Sequence, residues 1–182
     1  TQKTIKQPVI FKGIALHSGK DVNICINPAS PNHGIVFKRI DLKKDNLVYP
    51  NFMNVSNTSL NTTIENEEGV KVSTIEHLMG ALFGLGIDNA LIEIDNEEVP
   101  ILDGSAKDFI QKILSTGLEV SDKPIKVVKI NKKVEYSDGE RFITIEPSTL
   151  SLDIDFELKY NNEIISNQRN KVKVYEDDLT DV

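Results

Sequence analysis

Between residues 73 and 85 the apolar side chains change period. Up to that point they alternate or cluster in short β-favouring stretches, at residues 5–11, 22–27 and 34–39, with Gly13, Gly19 and the turn-rich Pro28-Ala29-Ser30-Pro31-Asn32 between them. From Ser73 onward Ile75, Leu78, Met79, Leu82 and Leu85 recur at helical spacing, so a helix is predicted over 73–85 and ended by Gly84 and Gly86. Just before it, residues 57–64 and 70–72 read as a hairpin around the polar tip Glu65-Asn66-Glu67-Glu68-Gly69. Just after it, Ala90-Leu91-Ile92-Glu93-Ile94 is the near-continuous apolar run of a buried strand. Ser105 can then cap a second helix whose buried stripe is Phe109, Ile110, Ile113 and Leu114, and Gly117 stops it. Strands, helix, strand, helix is an α+β order, with helices laid on a sheet.

Around Ser121-Asp122-Lys123-Pro124 the composition turns polar, and strand-like segments resume at 125–134, 142–145, 150–158 and 171–175. Two domains are expected, 1–122 and 123–182, the second opening on Pro124-Ile125-Lys126 much as the first opens on Thr4-Ile5-Lys6. The acidic stretch at 176–182 suits the start of a helix, so the second domain is expected to be truncated.

Composition removes several classes of function. With 28 acidic against 21 basic residues the formal charge is −7, which opposes attraction to nucleic acid phosphates or anionic lipids. A single cysteine, Cys25, excludes an internal disulfide or a multi-cysteine metal cage and fits a reducing compartment. No segment approaches the ~20 apolar residues of a membrane-spanning helix, and the start lacks a secretory apolar run; cytoplasmic residence without stable membrane insertion is expected. Phosphate-loop, dinucleotide and nucleophile-elbow fingerprints are absent from the sequence.

Three histidines remain: His17, His33 and His77. His33 sits in a solvated turn, and His17 in the glycine-flanked Gly13-Ile14-Ala15-Leu16-His17-Ser18-Gly19. Only His77 has a carboxylate beside it at a helix start, in Ser73-Thr74-Ile75-Glu76-His77-Leu78. A hydrolytic zinc site needs about three protein ligands, an open position for water and a carboxylate to take the water's proton. His77 and Glu76 supply two of those parts. The same residues also match a capping box, in which Glu76 reaches back to the backbone of Ser73, and spacing alone leaves both readings open. A grouping of His17, His77 and Asp103 around a metal is a further alternative; Asp103 is otherwise a turn residue before the second helix.

Taken with Ala81-Leu82-Phe83-Gly84-Leu85-Gly86-Ile87-Asp88-Asn89, with Val99-Pro100-Ile101-Leu102-Asp103-Gly104-Ser105-Ala106 and with Ser166-Asn167-Gln168-Arg169, these blocks resemble the UDP-3-O-acyl-N-acetylglucosamine deacetylases of Gram-negative bacteria, the zinc enzymes that commit a UDP-sugar to lipid A synthesis. The resemblance implies two similar sheet-plus-helix layers with the active site between them. It implies Glu76 as general base, His77 as one zinc ligand, Leu60 and Thr62 in a loop near metal and sugar, and His17 close by. The substrate it implies is a UDP-linked acylated glucosamine. The chain departs from the family in lacking the later stretch that supplies a histidine and an aspartate as further zinc ligands, a general-acid histidine and most of the acyl-chain passage. An amino-terminal, inactive portion is therefore expected, and the alternative is a non-catalytic module of the same fold that binds a nucleotide sugar or a protein.

Overall fold

The computed structural model describes residues 1–148 and 153–173. The chain divides into two compact units, Thr1–Ile125 and Lys126–Val182.

In the first unit a five-stranded sheet is built from β2 (Val9–Ile14), β3 (Asp21–Pro28), β9 (Ala90–Ile94), β4 (Ile35–Arg39) and β5 (Leu47–Val48), in that spatial order. All neighbours are antiparallel except β4 and β9, which run parallel. Alternation fixes the register: Val22, Ile24 and Ile26 of β3 face the core, opposite Val9 and Phe11 on β2 and beside Ile92 and Ile94 on β9. Helix α2 (Lys107–Thr116) packs on β2, burying Phe109, Ile110 and Ile113, with the Phe109 ring tilted against Phe11 at 5.0 Å between centroids. Helix α1 (Glu76–Gly84) lies against α2 and buries Leu78, Ala81 and Leu82. A smaller antiparallel sheet joins β6 (Val55–Asn57), β7 (Thr63–Glu65) and β8 (Lys71–Val72), and leads directly into α1. The short β1 (Lys3–Ile5) pairs with β10 (Leu118–Val120), tying the start of the chain to the end of α2.

Several local expectations change. The stretch 5–11 is two strands interrupted at Lys6-Gln7-Pro8, because proline has no N–H to continue a ladder. Residues 58–62 form a loop rather than a strand. Helix α1 begins at Glu76, three residues later than its apolar period suggests, because Ser73 is held in an extended bridge to Glu98. Leu114, expected in the buried stripe of α2, is largely exposed. Gly117 ends α2 at φ 82°, as a helix-stopping glycine should.

In the second unit β11 (Val134–Asp138) and β12 (Arg141–Ile145) form one hairpin, and β13 (Asp153–Lys159) and β14 (Asn167–Lys173) another, paired over seven residues. Its described residues contain no helix, and of the strand expected over 125–134 the part 125–133 is irregular, β11 beginning only at Val134. The β13–β14 hairpin is laced by Arg169, which donates two hydrogen bonds to Asp155 at 2.7 and 2.6 Å while Lys171 approaches at 3.1 Å. These partners hold the Asp155 carboxyl well below the usual range. The acidic stretch expected to begin a helix at 176–182 lies outside the described residues.

Candidate active site

Three segments of the first unit converge on the mouth of α1. The loop after β6 opens with an Asx turn, Ser59 N–H donating to Asn57 Oδ1 at 2.9 Å, and then places Leu60 at φ 66°. Leucine rarely occupies left-handed backbone, and here its side chain is 88% exposed. Past Leu60 the loop is stitched to the helix. The Thr62 N–H donates to Glu76 Oε2 at 3.1 Å, and the Thr62 carbonyl accepts from the Ile75 N–H at 3.4 Å.

The capping box does not form. The Ser73 N–H donates to the Glu97 carbonyl at 2.8 Å, so the group that Glu76 would have reached is already taken, and the helix has no side-chain cap. Glu76 instead stands half-buried at the first turn, with Oε2 on Thr62 and Oε1 without a protein partner among the described residues. His77 is also half-buried and makes no side-chain hydrogen bond or ion pair among them. Every buried side-chain nitrogen and oxygen among the described residues has a partner, so the unpartnered imidazole nitrogens and Oε1 reach solvent. Two adjacent groups at a helix entrance thus keep open lone pairs toward water, one a carboxylate and one an imidazole.

His17 comes from the second segment, a turn closed by Ala15 N–H to the Lys20 carbonyl and Gly19 N–H to the Ala15 carbonyl. Its ring is exposed, and its position is set through the backbone. The third segment is Glu97-Glu98-Val99-Pro100-Ile101, which bridges Ser73 on one side and Ala15 on the other. At its centre Glu98 is only 2% exposed. Glu98 Oε1 accepts from the His17 N–H at 2.9 Å and from Thr74 Oγ1 at 3.0 Å, and Oε2 accepts from the Ser18 N–H at 3.0 Å. Burial alone would raise this carboxyl's pKa, but the His17 and Ser18 amides and the Ser18 and Thr74 hydroxyls together hold it below the ordinary value. Thr74 Oγ1 in turn accepts from Asn61 Nδ2 at 3.2 Å.

Sequence reasoning named Glu76, His77, Thr62, Leu60 and His17 and missed Glu98, Thr74 and Asn61. The one available signal was a carboxylate set directly before the apolar Val99-Pro100-Ile101. Asp103, in contrast, is an exposed turn residue engaged with Ser105, and it forms no metal cluster with His17 and His77. Among the described residues no three His, Cys, Asp or Glu side chains are grouped to hold a metal ion. His77 is a single imidazole donor, so the described residues alone do not make a zinc site. A cavity of about 420 Å³ lined by Phe11, Lys12, Leu102, Asp108, Gln111 and Lys112 lies against α2 and does not include the helix mouth. No helix among the described residues is long and apolar enough to cross a membrane.

The sequence matches the model of the family described as UDP-3-O-acyl N-acetylglycosamine deacetylase over residues 2–181. Among curated proteins it is 43% identical over 168 residues to the UDP-3-O-acyl-N-acetylglucosamine deacetylase of Nautilia profundicola, covering 92% of this chain and 56% of that protein. Against the enzyme of the same name from Geotalea uraniireducens it is 41% identical over 180 residues, covering 99% and 58%. For Pseudoalteromonas atlantica the figures are 41% over 168 residues, 92% and 55%. The chain therefore spans a little over half the length of the curated relatives it matches. A family match that runs through both units and includes the helix mouth shows that the chain belongs to the UDP-3-O-acyl-N-acetylglucosamine deacetylase family.

Proposed function

We propose that the full-length protein hydrolyses the acetamide of a UDP-linked glucosamine acylated at its 3-hydroxyl, releasing acetate and a free amine, and that the mouth of α1 is part of its active site. The supporting observation is the pair Glu76 and His77, side by side at a helix entrance, with lone pairs open to solvent and the carboxylate anchored through one oxygen only.

Glu76 is the general base in this reading. Its Oε2 is fixed by the Thr62 N–H, which orients the group, and Oε1 accepts the proton of a water adding to the acetamide carbonyl. Zinc is the metal assigned, with His77 as one ligand and the others outside these 182 residues; when bound, it polarises a carbonyl and acidifies water. Leu60 presents an exposed apolar surface and Thr62 is tied to Glu76 through its backbone N–H, and this reading assigns both to contact with the sugar and its acyl substituent. His17 is assigned to the same site, its turn being joined to Thr74 through the Glu98 carboxylate. The 182 residues by themselves are expected to be inactive, since a single protein ligand does not hold zinc tightly.

The test is acetate release from UDP-3-O-acyl-N-acetylglucosamine by the full-length, zinc-loaded protein. Turnover supports the proposal. Nucleotide-sugar binding without acetate release would leave a non-catalytic module of the same fold in its place.

A further inference from the structure

Thr74 is a buried, β-branched residue at φ 55°, two positions before Glu76. Left-handed backbone is unfavourable for an L-residue, and the branch at Cβ adds crowding, so the surroundings must hold it there. Three contacts do so: Thr74 Oγ1 to Glu98, Asn61 Nδ2 to Thr74 Oγ1, and the bridge that holds the neighbouring Ser73 against Glu98. Asn61 leads directly into Thr62, whose N–H holds Glu76. The opposite side of the Glu98 carboxylate is occupied by the amides of His17 and Ser18. One sequestered carboxylate therefore joins the His17 turn to the strained residue two positions before the Glu76 helix, and every hydrogen bond it accepts comes from a site segment.

We infer that Glu98 is a positioning residue for this reaction: through Thr74 and Asn61 it sets the orientation of the Glu76 carboxylate, and through the two amides it holds the His17 turn in register with it. This rests on the reading of Glu76 as general base. Glu98 touches neither substrate nor reacting water. A glutamine at this position keeps the shape but has one oxygen where the carboxylate has two, so it cannot accept from Ser18 while also serving His17 and Thr74. The amide–amide opposition that results loosens the clamp without emptying the space.

The test is a double-mutant cycle in the full-length, zinc-loaded protein, with Glu98→Gln, Glu76→Gln and the pair read as single-turnover rates alongside kcat, KM and bound zinc. Groups that act as a unit are non-additive. Glu98→Gln is expected to lower kcat about 10- to 100-fold with little change in KM or zinc content, the range found when a supporting hydrogen bond behind an active group is lost. In the Glu76→Gln background the same change is expected to have almost no effect. An unchanged kcat in Glu98→Gln, or an equal loss in both backgrounds, overturns the inference and leaves Glu76 as base. Parental turnover in Glu76→Gln overturns both readings. Should Glu98→Gln fail to fold, Thr74→Val cuts the helix side of the clamp alone and is expected to show the same non-additivity, with Thr74→Ser restoring the rate. A Thr74→Val protein with parental kcat overturns the inference.

Discussion

Thr74 and Leu60 both carry left-handed, non-glycine backbone beside the helix mouth, and they are held in different ways. Thr74 is sealed in and held by Glu98; Leu60 is held by its Asx turn and thrust into solvent. The Glu98 carboxyl links this local strain to pH. Its folded pKa lies below the unfolded value of about 4.3, so its contribution to stability is fully present above that value and is lost as pH falls through the folded pKa. A thermal melt followed from pH 7 to pH 3 is therefore expected to drop below about pH 4.3, and Glu98→Gln to flatten part of that acid limb. An identical acid limb in the variant would show that Glu98 is not among the groups responsible. Glu98 itself was hard to find in the sequence: nothing in Glu97-Glu98 before Val99-Pro100-Ile101 announces that three distant residues will surround one of the two carboxylates, since the contacts come from residues 81, 80 and 24 positions away.

At the level of elements, burial sets what each helix is worth. Phe109 is fully buried against Phe11 and is the anchor of α2 on β2, so Phe109→Ala is expected to destabilise the first unit by about 3–5 kcal/mol, measured as a lower denaturant midpoint at unchanged slope. A loss under 1 kcal/mol would mean that α2 is not seated as described. Gly117, at φ 82° and ψ 162°, occupies a region open essentially to glycine, and Gly117→Ala is expected to cost about 1–3 kcal/mol although a methyl there meets only the flexible Lys6 side chain. Both helices and the buried β9 strand were legible because period and turn residues report on local preference and burial together. The start of α1 was not legible, because Ser73-Thr74-Ile75-Glu76 satisfies a capping pattern while the observed start depends on Ser73 pairing with the distant Glu98 segment. The loop at 58–62 was missed for the same kind of reason: its backbone groups go to α1 and to its own side chains rather than to a strand partner.

The two units differ in how they hold themselves together. The first buries an apolar core across its five-stranded sheet and both helices, whereas Val134, Tyr136, Phe142, Ile143 and Phe156 on the described strands of the second are exposed. Isolated two-stranded ribbons are marginal in water, so hydrogen exchange on this 182-residue chain is expected to protect β3 and β9 strongly and β11 to β14 weakly. Equal protection in the two units would contradict that. The division of labour proposed for Glu76 and His77 is read out by measuring bound zinc and acetate release on the same preparations of the full-length protein, Glu76→Gln and His77→Ala. Glu76→Gln is predicted to keep its metal and lose about 100- to 10,000-fold in turnover, and His77→Ala to lose metal and turnover together. Parental turnover in Glu76→Gln, or a full metal complement in His77→Ala, would contradict the account.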